Sequence, residues 1–268
     1  MNKEKSLAVS LSQEELYVIM AYLGADMLLG LDNAPIKELS DDQYKLAMKV
    51  AERALIAREF LIPDGKGKFK LNDVIHALVG ACAAPEYSLI IKRSYPIKLP
   101  EDYLFHFSRM MIVLHTNPMT AIRQFTALAN KELMIKTVAS IFDLTNSKKI
   151  ECPSARLSES KLIMVRDAIR NSNSTEAETI LKDSLWAAAT IEPFVNSLKT
   201  IVHSDAIAYV VHKASGDGDV KGATLLKASN GSWLIHSMHE DQLEIEPTSA
   251  SKVNDFVKKL INLNVSSD

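Results

Sequence analysis

Apolar and polar residues follow the same arrangement twice along this chain. Residues 121–144 and 241–263 each contain a short extended run, a corner with Ser, Thr or Asn, and an amphipathic helix. The apolar positions of the two predicted helices align one for one, with Met134, Thr137, Val138, Ile141 and Leu144 opposite Val253, Phe256, Val257, Leu260 and Leu263. Strand-like runs precede both copies. The repetition predicts an α+β fold of two pseudo-symmetric halves, in which an antiparallel sheet is flanked by helices.

The first predicted half spans residues 1–147 and begins with helices. Side chains that can cap a helix mark three starts, namely Ser12 with Glu15, Ser40 with Gln43, and Asn72. Residues 61–71 surround a glycine-bearing turn and predict a hairpin between the second and third helices. Strand-like segments then extend to about residue 127, and the helix at 131–144 closes the half.

The second predicted half spans residues 158–268 and follows a polar connector at 148–157. Its helices are predicted near 158–171 and 175–202. Pro193 lies inside the second of these and is expected to kink or split it, because proline lacks the amide proton that a helix interior needs. Asn230 followed by Gly231 is the strongest hairpin signal in the chain.

Composition is that of an ordinary folded, soluble protein. It has 268 residues, of which 47% are hydrophobic and 24% charged, and a formal net charge of −2. This near-neutral balance supplies no global field that would recruit nucleic acid or an anionic membrane. Two cysteines, Cys82 and Cys152, suggest neither a disulfide scaffold nor a cysteine-rich zinc site. The N-terminus is too polar for a signal peptide and the apolar runs are too short to span a bilayer, so we expect a cytoplasmic location.

Possible metal ligands cluster at His236, His239, Glu240 and Asp241. A zinc site needs three or four converging ligands, and a third ligand is not marked by this spacing. If a strand ends near residue 238, the two imidazoles need not face the same side. We therefore predict no metal and no cofactor.

Candidate catalytic residues each have a structural interpretation. His106 and His115 lie in strand-like runs among apolar neighbours, and we interpret them as sheet histidines with satisfied hydrogen bonds. Ser158 and Lys161 have the spacing of serine acyl enzymes, but the partner motifs are missing, so Ser158 is predicted to be a helix N-cap. The acidic turn at 216–219 lacks the oxygens of a calcium loop. We expect a protein that is not an enzyme.

Residues 41–70 have the outline of a winged helix, a helix followed directly by a basic hairpin. The cations that could neutralise DNA phosphates are Lys45, Lys49 and Arg53 on the helix and Lys66 and Lys68 on the hairpin. Acidic residues in the same segment nearly balance them. We therefore favour a structural helix and hairpin, in which Leu46, Val50, Leu55 and Phe60 should be buried.

Three segments carry a resemblance to a known family. They are LSQEELYVIMAYLG at 11–24, AERALIAREFLIPDGKGKFKLNDVIHALVGACAAPEYSLII at 51–91 and GSWLIHSMHEDQLEIEPTSASKVNDFVKKLI at 231–261. In pattern and order they resemble the EspG family, the cytosolic chaperones of type VII (ESX) secretion. The resemblance implies a quasi-two-fold α+β fold with a central antiparallel sheet. It transfers no binding residue, because no signature motif is shared.

These observations favour a cytoplasmic adaptor or secretion chaperone that covers an apolar helical surface of a client protein. Ten methionines, which adapt to varied surfaces, are compatible with such binding. The client would be a protein, by resemblance a small helical secretion substrate, and we expect neither membrane nor nucleic acid as a partner. The main alternative is a winged-helix DNA-binding transcriptional regulator that uses residues 41–70. A weaker alternative is a hydrolase whose catalytic residues meet only in space. The sequence leaves the oligomeric state open.

Overall fold

The predicted α+β class is confirmed by a computed structural model, which describes residues 7–31, 34–119, 121–144, 147–213, 219–239 and 241–262. The chain forms two compact units, and each is discontinuous in sequence. The first unit comprises Met1–Leu89, Glu101–Met134 and Val211–Asp219, and the second comprises Ile90–Pro100, Ile135–Val210 and Val220–Asp268. The proposed boundaries at 147 and 158 stay a prediction.

The helices in the described residues are α1 Gln13–Leu23, α2 Ala34–Lys37, α3 Asp41–Ala57, α4 Asp73–Ala83, α5 Lys131–Phe142, α6 Glu159–Arg170, α7 Ser174–Asp183, α8 Ala188–Lys199 and α9 Ala250–Asn262. Four of them, α1, α3, α4 and α6, begin where the capping signals predicted. Ser12 and Ser40 both form complete capping boxes with the residue three positions later, and Asn72 caps α4. These side chains satisfy amide groups that the first helical turn leaves without partners.

The strands form antiparallel meanders. They are β1 Ala8–Ser12, β2 Leu61–Pro63, β3 Phe69–Leu71, β4 Tyr87–Ser94, β5 Glu101–Phe107, β6 Ile112–Met119, β7 Ile122–Leu128, β8 Ala155–Ser158, β9 Ile201–Val211, β10 Asp219–Ala228, β11 Gly231–His239 and β12 Gln242–Pro247. In the first unit the strand order is β1-β7-β6-β5, followed by the start of β4. In the second unit the rest of β4 is followed by β9-β10-β11-β12-β8. The predicted hairpin at 61–71 is the separate two-stranded sheet β2-β3.

Each half of the chain follows the same path. A short strand ends at a serine that caps the next helix, then helices lead to a four-stranded meander and a closing helix. The opening strand pairs with the last strand of the meander in both halves, β1 with β7 and β8 with β12. Ser158 is therefore an N-cap, as predicted, and its Oγ accepts a hydrogen bond from the Lys161 amide at 3.3 Å.

The closing helices α5 and α9 show the predicted repeat in their burial. Met134, Val138 and Ile141 are buried in α5, and Val253, Val257 and Leu260 are buried at the aligned positions of α9. Thr137 and Phe256, the aligned fourth pair, are both half-buried. Leu144 is buried, whereas Leu263 lies outside the described residues. The aligned apolar positions of the two helices thus have matching burial, and superposition of the two halves stays a prediction.

Two sequence predictions about the second half need correction. The predicted helix at 175–202 is two helices, but the break falls at residues 184–187 and Pro193 lies inside α8. Leu185 adopts a left-handed φ of 60°, which ends the helical path well before the proline. The last residues of the predicted connector form strand β8, because they complete the sheet beside β12.

The turn at Asn230 is confirmed and has a second role. The two turn residues are Ser229 and Asn230, and Gly231 opens β11 opposite Ala228. Gly231 has φ 148°, and a Cβ there would overlap the side chain of Ile150, so only glycine fits. The Asn230 Oδ1 atom accepts a hydrogen bond from Ser197 Oγ at 2.8 Å, which ties the turn to α8.

A buried ion pair organises the second unit. The guanidinium of Arg93 on β4 donates two hydrogen bonds to Asp205 on β9, from Nε at 2.7 Å and from Nη2 at 2.9 Å. The same Nη2 donates to the carbonyl of Ile141 near the end of α5, at 2.6 Å. Burial lowers the pKa of Arg93, but Asp205 and Tyr95 together raise it by more, so the net shift is upward. His203 Nδ1 lies 3.3 Å from the carboxylate, yet without hydrogen-bond geometry.

We expect Arg93→Met to lower the free energy of unfolding by about 3–5 kcal/mol, because it leaves the Asp205 carboxylate buried without its partner. The double variant Arg93→Met/Asp205→Leu should recover much of the lost free energy of unfolding, since neither charge then remains in the protein core. Urea unfolding followed by circular dichroism measures both. The matched control is Arg170→Met at the exposed Arg170–Asp167 pair, which should cost less than about 1 kcal/mol. A loss for Arg93→Met as small as that of the control would contradict the role assigned to the buried pair.

Candidate functional site

Helix α3 turns an apolar face to solvent. Its sequence carries two apolar stripes. The stripe that contains Ala51 and Leu55 is buried against the core of the first unit, and the stripe that contains Leu46 and Val50 is exposed. Leu46 is 65% exposed and Val50 is 56% exposed, so the prediction that they would be buried is wrong. The prediction is confirmed for Leu55, and Phe60 is half-buried. The helix therefore has one apolar face that packs in the core and another apolar face that is exposed to solvent.

The exposed face borders a groove of about 580 Å³ between α3 and the first turn of α1. The lining residues are Ser12, Glu14, Glu15, Gln43, Leu46, Ala47, Val50, Ala51 and Ala54. Alanines at three of the α3 positions leave room where larger side chains would fill the space, and Ala51 is almost completely buried at the base. Leu46 and Val50 stand beside this depression. The result is a mainly apolar groove along the axis of a helix.

The α1 side of the groove is held rigidly. The Glu15 carboxylate accepts a hydrogen bond from the Ser12 amide at 2.8 Å, which completes the capping box. It also accepts from Arg58 Nη1, at 2.8 Å and 3.0 Å to its two oxygens. Arg58 Nη2 donates in turn to the Ser10 carbonyl at 2.7 Å. Because its charge is already paired, Glu15 shapes the groove without requiring a cation from a ligand.

The cations considered for DNA binding are all exposed. Lys45, Lys49 and Arg53 lie on α3, and Lys66 and Lys68 lie in the turn of the β2-β3 hairpin. Asp64 Oδ1 accepts hydrogen bonds from the backbone amides of Lys66 and Lys68, which shapes this turn. The α3 cations therefore border the apolar stripe, while the hairpin cations are absent from the lining of the groove.

Further exposed apolar side chains occur in the second unit. Ile97 is 97% exposed and Leu99 is 81% exposed in the segment between β4 and β5. Ile163 and Met164 are adjacent on α6, at 53% and 54% exposure. Neither pair lines a groove as apolar as the one on α3.

A chain of polar side chains is buried in the first unit. Ser88 Oγ lies 3.1 Å from His106 Nδ1 and 3.0 Å from His212 Nε2. The hydroxyl can donate to one of these nitrogens and must accept an N–H from the other. Sequence reasoning predicted no such contact between a serine and an imidazole, because β4, β5 and β9 bring the residues together from distant positions. Ser88 and His106 are fully buried, so a substrate has no access to the hydroxyl.

His106 and His115 are held neutral inside the sheet. Burial lowers the pKa of His106 to about 4, with a further contribution from His212. The pKa of His115 is lowered to about 3, chiefly by burial and also by His106 and Arg123, while a hydrogen bond with the Leu29 backbone acts in the opposite direction. Within the described residues, His106 Nε2 and His115 Nδ1 have no hydrogen-bond partner, so the expectation of fully satisfied histidines is wrong. His115 stacks on Phe125 at a centroid distance of 4.6 Å.

The histidines considered for metal binding are placed in β11. His236 Nε2 lies 3.4 Å from Glu244 on the neighbouring strand β12, and His239 is the last residue of β11. Among the residues that the structure describes, no group of three or more potential ligands converges on one point. Glu240 and residues 216–218 of the acidic turn lie outside the described residues.

The thiols are poorly suited to nucleophilic chemistry. Burial raises the pKa of Cys82 well above its usual value. Burial also raises the pKa of Cys152, and a hydrogen bond with Thr190 only partly offsets this. Both sulfurs therefore stay protonated near neutral pH, whereas the thiolate is the reactive form.

Comparison with known proteins identifies the family and the fold. A sequence family described as uncharacterised protein YfjC matches residues 28–257, and the chain belongs to this family. Among solved structures, it is similar to the Mycobacterium tuberculosis type VII secretion system chaperone EspG5 in complex with a PE25–PPE41 dimer, with 10% identity, 96% of each chain covered and a TM-score of 0.70. The predicted EspG-like fold is thus confirmed. No curated protein sequence is significantly similar to this chain. None of the helices within the described ranges is long and apolar enough to cross a bilayer.

The buried histidines predict a stability that falls in acid. The folded-state pKa values of His106 and His115 lie below the ordinary value of 6.5, so between about pH 6.5 and 4 the unfolded chain binds more protons. Each of the two should lower the free energy of unfolding by about 1.4 kcal/mol for every pH unit of acidification in this window, and their contribution is complete above about pH 6.5. Urea unfolding at a series of pH values measures the slope.

Replacing His115 by Phe should remove part of that slope, because one buried titrating group is lost. His76→Gln, which replaces an exposed imidazole on α4, is the control and should leave the slope unchanged. An equal pH slope in wild type and His115→Phe would show that the buried imidazole does not govern acid stability.

Proposed function

We propose that this protein is a non-enzymatic, cytoplasmic adaptor or chaperone that binds a client protein through the α1–α3 groove. The exposure of Leu46 and Val50 beside a groove of about 580 Å³ is the observation that carries this proposal. Contiguous exposed apolar surface is a feature of protein interaction sites. Covering these two side chains would contribute about 1–2 kcal/mol each.

The shape of the groove suits a helix. From Leu46 to Ala54 the apolar stripe follows the α3 axis for about 12 Å, which is about two turns of a helix lying alongside. An amphipathic helix in such a groove would insert apolar side chains at intervals of three and four residues. This geometry supports a helical client better than an extended peptide, which would need an exposed strand edge for hydrogen bonds.

The fold supports the same class of function by analogy. A structure with the same fold belongs to a type VII secretion chaperone that is in complex with a protein dimer. The structural similarity supports client binding by analogy. It does not identify the client, because a shared fold does not by itself imply a shared function. A role in type VII secretion, with a small helical substrate as client, is the specific form of our proposal.

A second candidate function is binding to duplex DNA. It is favoured by the exposure of Lys45, Lys49, Arg53, Lys66 and Lys68 on one helix and the following hairpin. DNA phosphates would contact these cations but would make no apolar contact with Leu46 and Val50. Binding of that kind would weaken steeply as salt rises, whereas apolar client binding tolerates moderate salt.

We expect the double variant Leu46→Asp/Val50→Asp to lose client binding by at least about 30-fold, because a helix cannot bury the two new carboxylates. Its melting temperature should stay near that of wild type, since both positions are exposed in the free protein. The measurement is affinity capture from the native host, with recovered proteins quantified for variant and wild type, followed by titration of the purified client.

The matched control is Ile163→Asp/Met164→Asp, which changes a similarly exposed apolar pair on α6. This variant should retain the client. Equal recovery of the client by the Leu46 variant and by wild type would overturn the assignment of the groove.

A further inference from the structure

The apolar stripe of α3 has a positively charged border. Lys49 follows Leu46 by three residues and Arg53 follows Val50 by three residues, so each cation lies one turn along from an exposed apolar side chain on the same side of the helix. Lys45 precedes Lys49 by four residues and begins the same ridge. The three cations are exposed. A ligand in the groove would therefore meet positive charge along the α3 side of its apolar contact.

These cations are available to a ligand. None of the three forms a hydrogen bond or ion pair with any residue that the structure describes. The situation differs on the neighbouring side of the groove, where the charge of Glu15 is already paired with Arg58. Asp41 and Asp42 lie at the start of α3, so the positive border covers the later turns, next to Leu46 and Val50.

We propose that the groove selects a helical segment whose apolar stripe is bordered by acidic residues spaced four apart. This inference rests on the proposed function, because it specifies the chemistry of the client. The spacing follows from helix geometry: cations four residues apart on α3 lie about 6 Å apart along the axis, and acids four apart on an adjacent helix repeat at the same interval. Apolar contact holds the segment, and charge sets its register and excludes basic helices.

A DNA duplex fits these observations less well. It would present phosphates to Lys49 and Arg53, but it offers no apolar surface to Leu46 and Val50, which lie between the cations and the groove. It would also recruit Lys66 and Lys68 on the hairpin. An acidic amphipathic helix uses both the cations and the apolar stripe of α3.

The test uses the full-length protein and three fluorescent peptides of about 20 residues, long enough to form helix. All carry the same Leu/Ala stripe, and they differ only at the border positions, which are Glu, Ser or Lys. Fluorescence anisotropy measures binding at low and moderate salt. We expect the acidic-border peptide to bind about tenfold more tightly than the basic-border peptide, with the neutral peptide between them.

Charge reversal supplies the decisive comparison. Lys49→Glu/Arg53→Glu should invert the preference, so that the basic-border peptide binds more tightly. Lys66→Glu/Lys68→Glu makes the same change in net charge on the hairpin and should leave the preference as in wild type. An inversion by both variants would mean that overall charge, rather than contact at the groove, sets the preference.

The remaining outcomes separate this inference from the proposed function. If peptide binding requires Leu46 but does not depend on the charge at the border positions of the peptide, the inference is wrong and the proposed adaptor function is still supported. Binding of no peptide, or equal binding by wild type and Leu46→Asp, would count against both. Tight, salt-sensitive binding of a short DNA duplex that both charge-reversal variants abolish would favour the regulator. A dimer in sedimentation that Leu46→Asp converts to monomer would assign the groove to a second copy of the chain.

Discussion

The second unit depends on a buried ion pair between Arg93 and Asp205. Arg93 and Asp205 are each almost completely buried, so each would be strongly destabilising without the other. Their two hydrogen bonds align β4 with β9, and the third bond of the guanidinium reaches the carbonyl of Ile141 near the end of α5. Two strands and a helix must therefore take their native places together. Removal of either partner would leave the other charge buried without compensation.

Helix α3 in the first unit has one apolar stripe that is buried and another that is exposed. Ala51 and Leu55 anchor α3 to the core, whereas Leu46 and Val50 on the other stripe are each more than half exposed. Ala47, Ala51 and Ala54 line an open depression beside that stripe. A protein optimised only for stability would fill such a space. The proposed client site rests on this open, mainly apolar depression.

The buried histidines explain why a serine close to imidazoles is not by itself an active site. Ser88 satisfies ring nitrogens of His106 and His212, while burial keeps His106 neutral and solvent away from the hydroxyl. A catalytic pair needs the same contact together with access for a substrate. Here the contact provides hydrogen-bond partners for a hydroxyl and two imidazoles, one of which is fully buried.

The sequence by itself determined the local elements and the repeat. Capping at Ser12, Ser40, Asn72 and Ser158 could be read directly, because a cap is settled within three residues of the chain. The strand β1 was missed, since its alternation covers only five residues, and the break at Leu185 was placed at Pro193 instead. The tertiary structure alone decided which stripe of α3 was buried, because both stripes have helical spacing. It alone also brought Arg93 to Asp205 and Ser88 to His212. Contacts between residues more than a hundred positions apart depend on strand order, which no local pattern encodes.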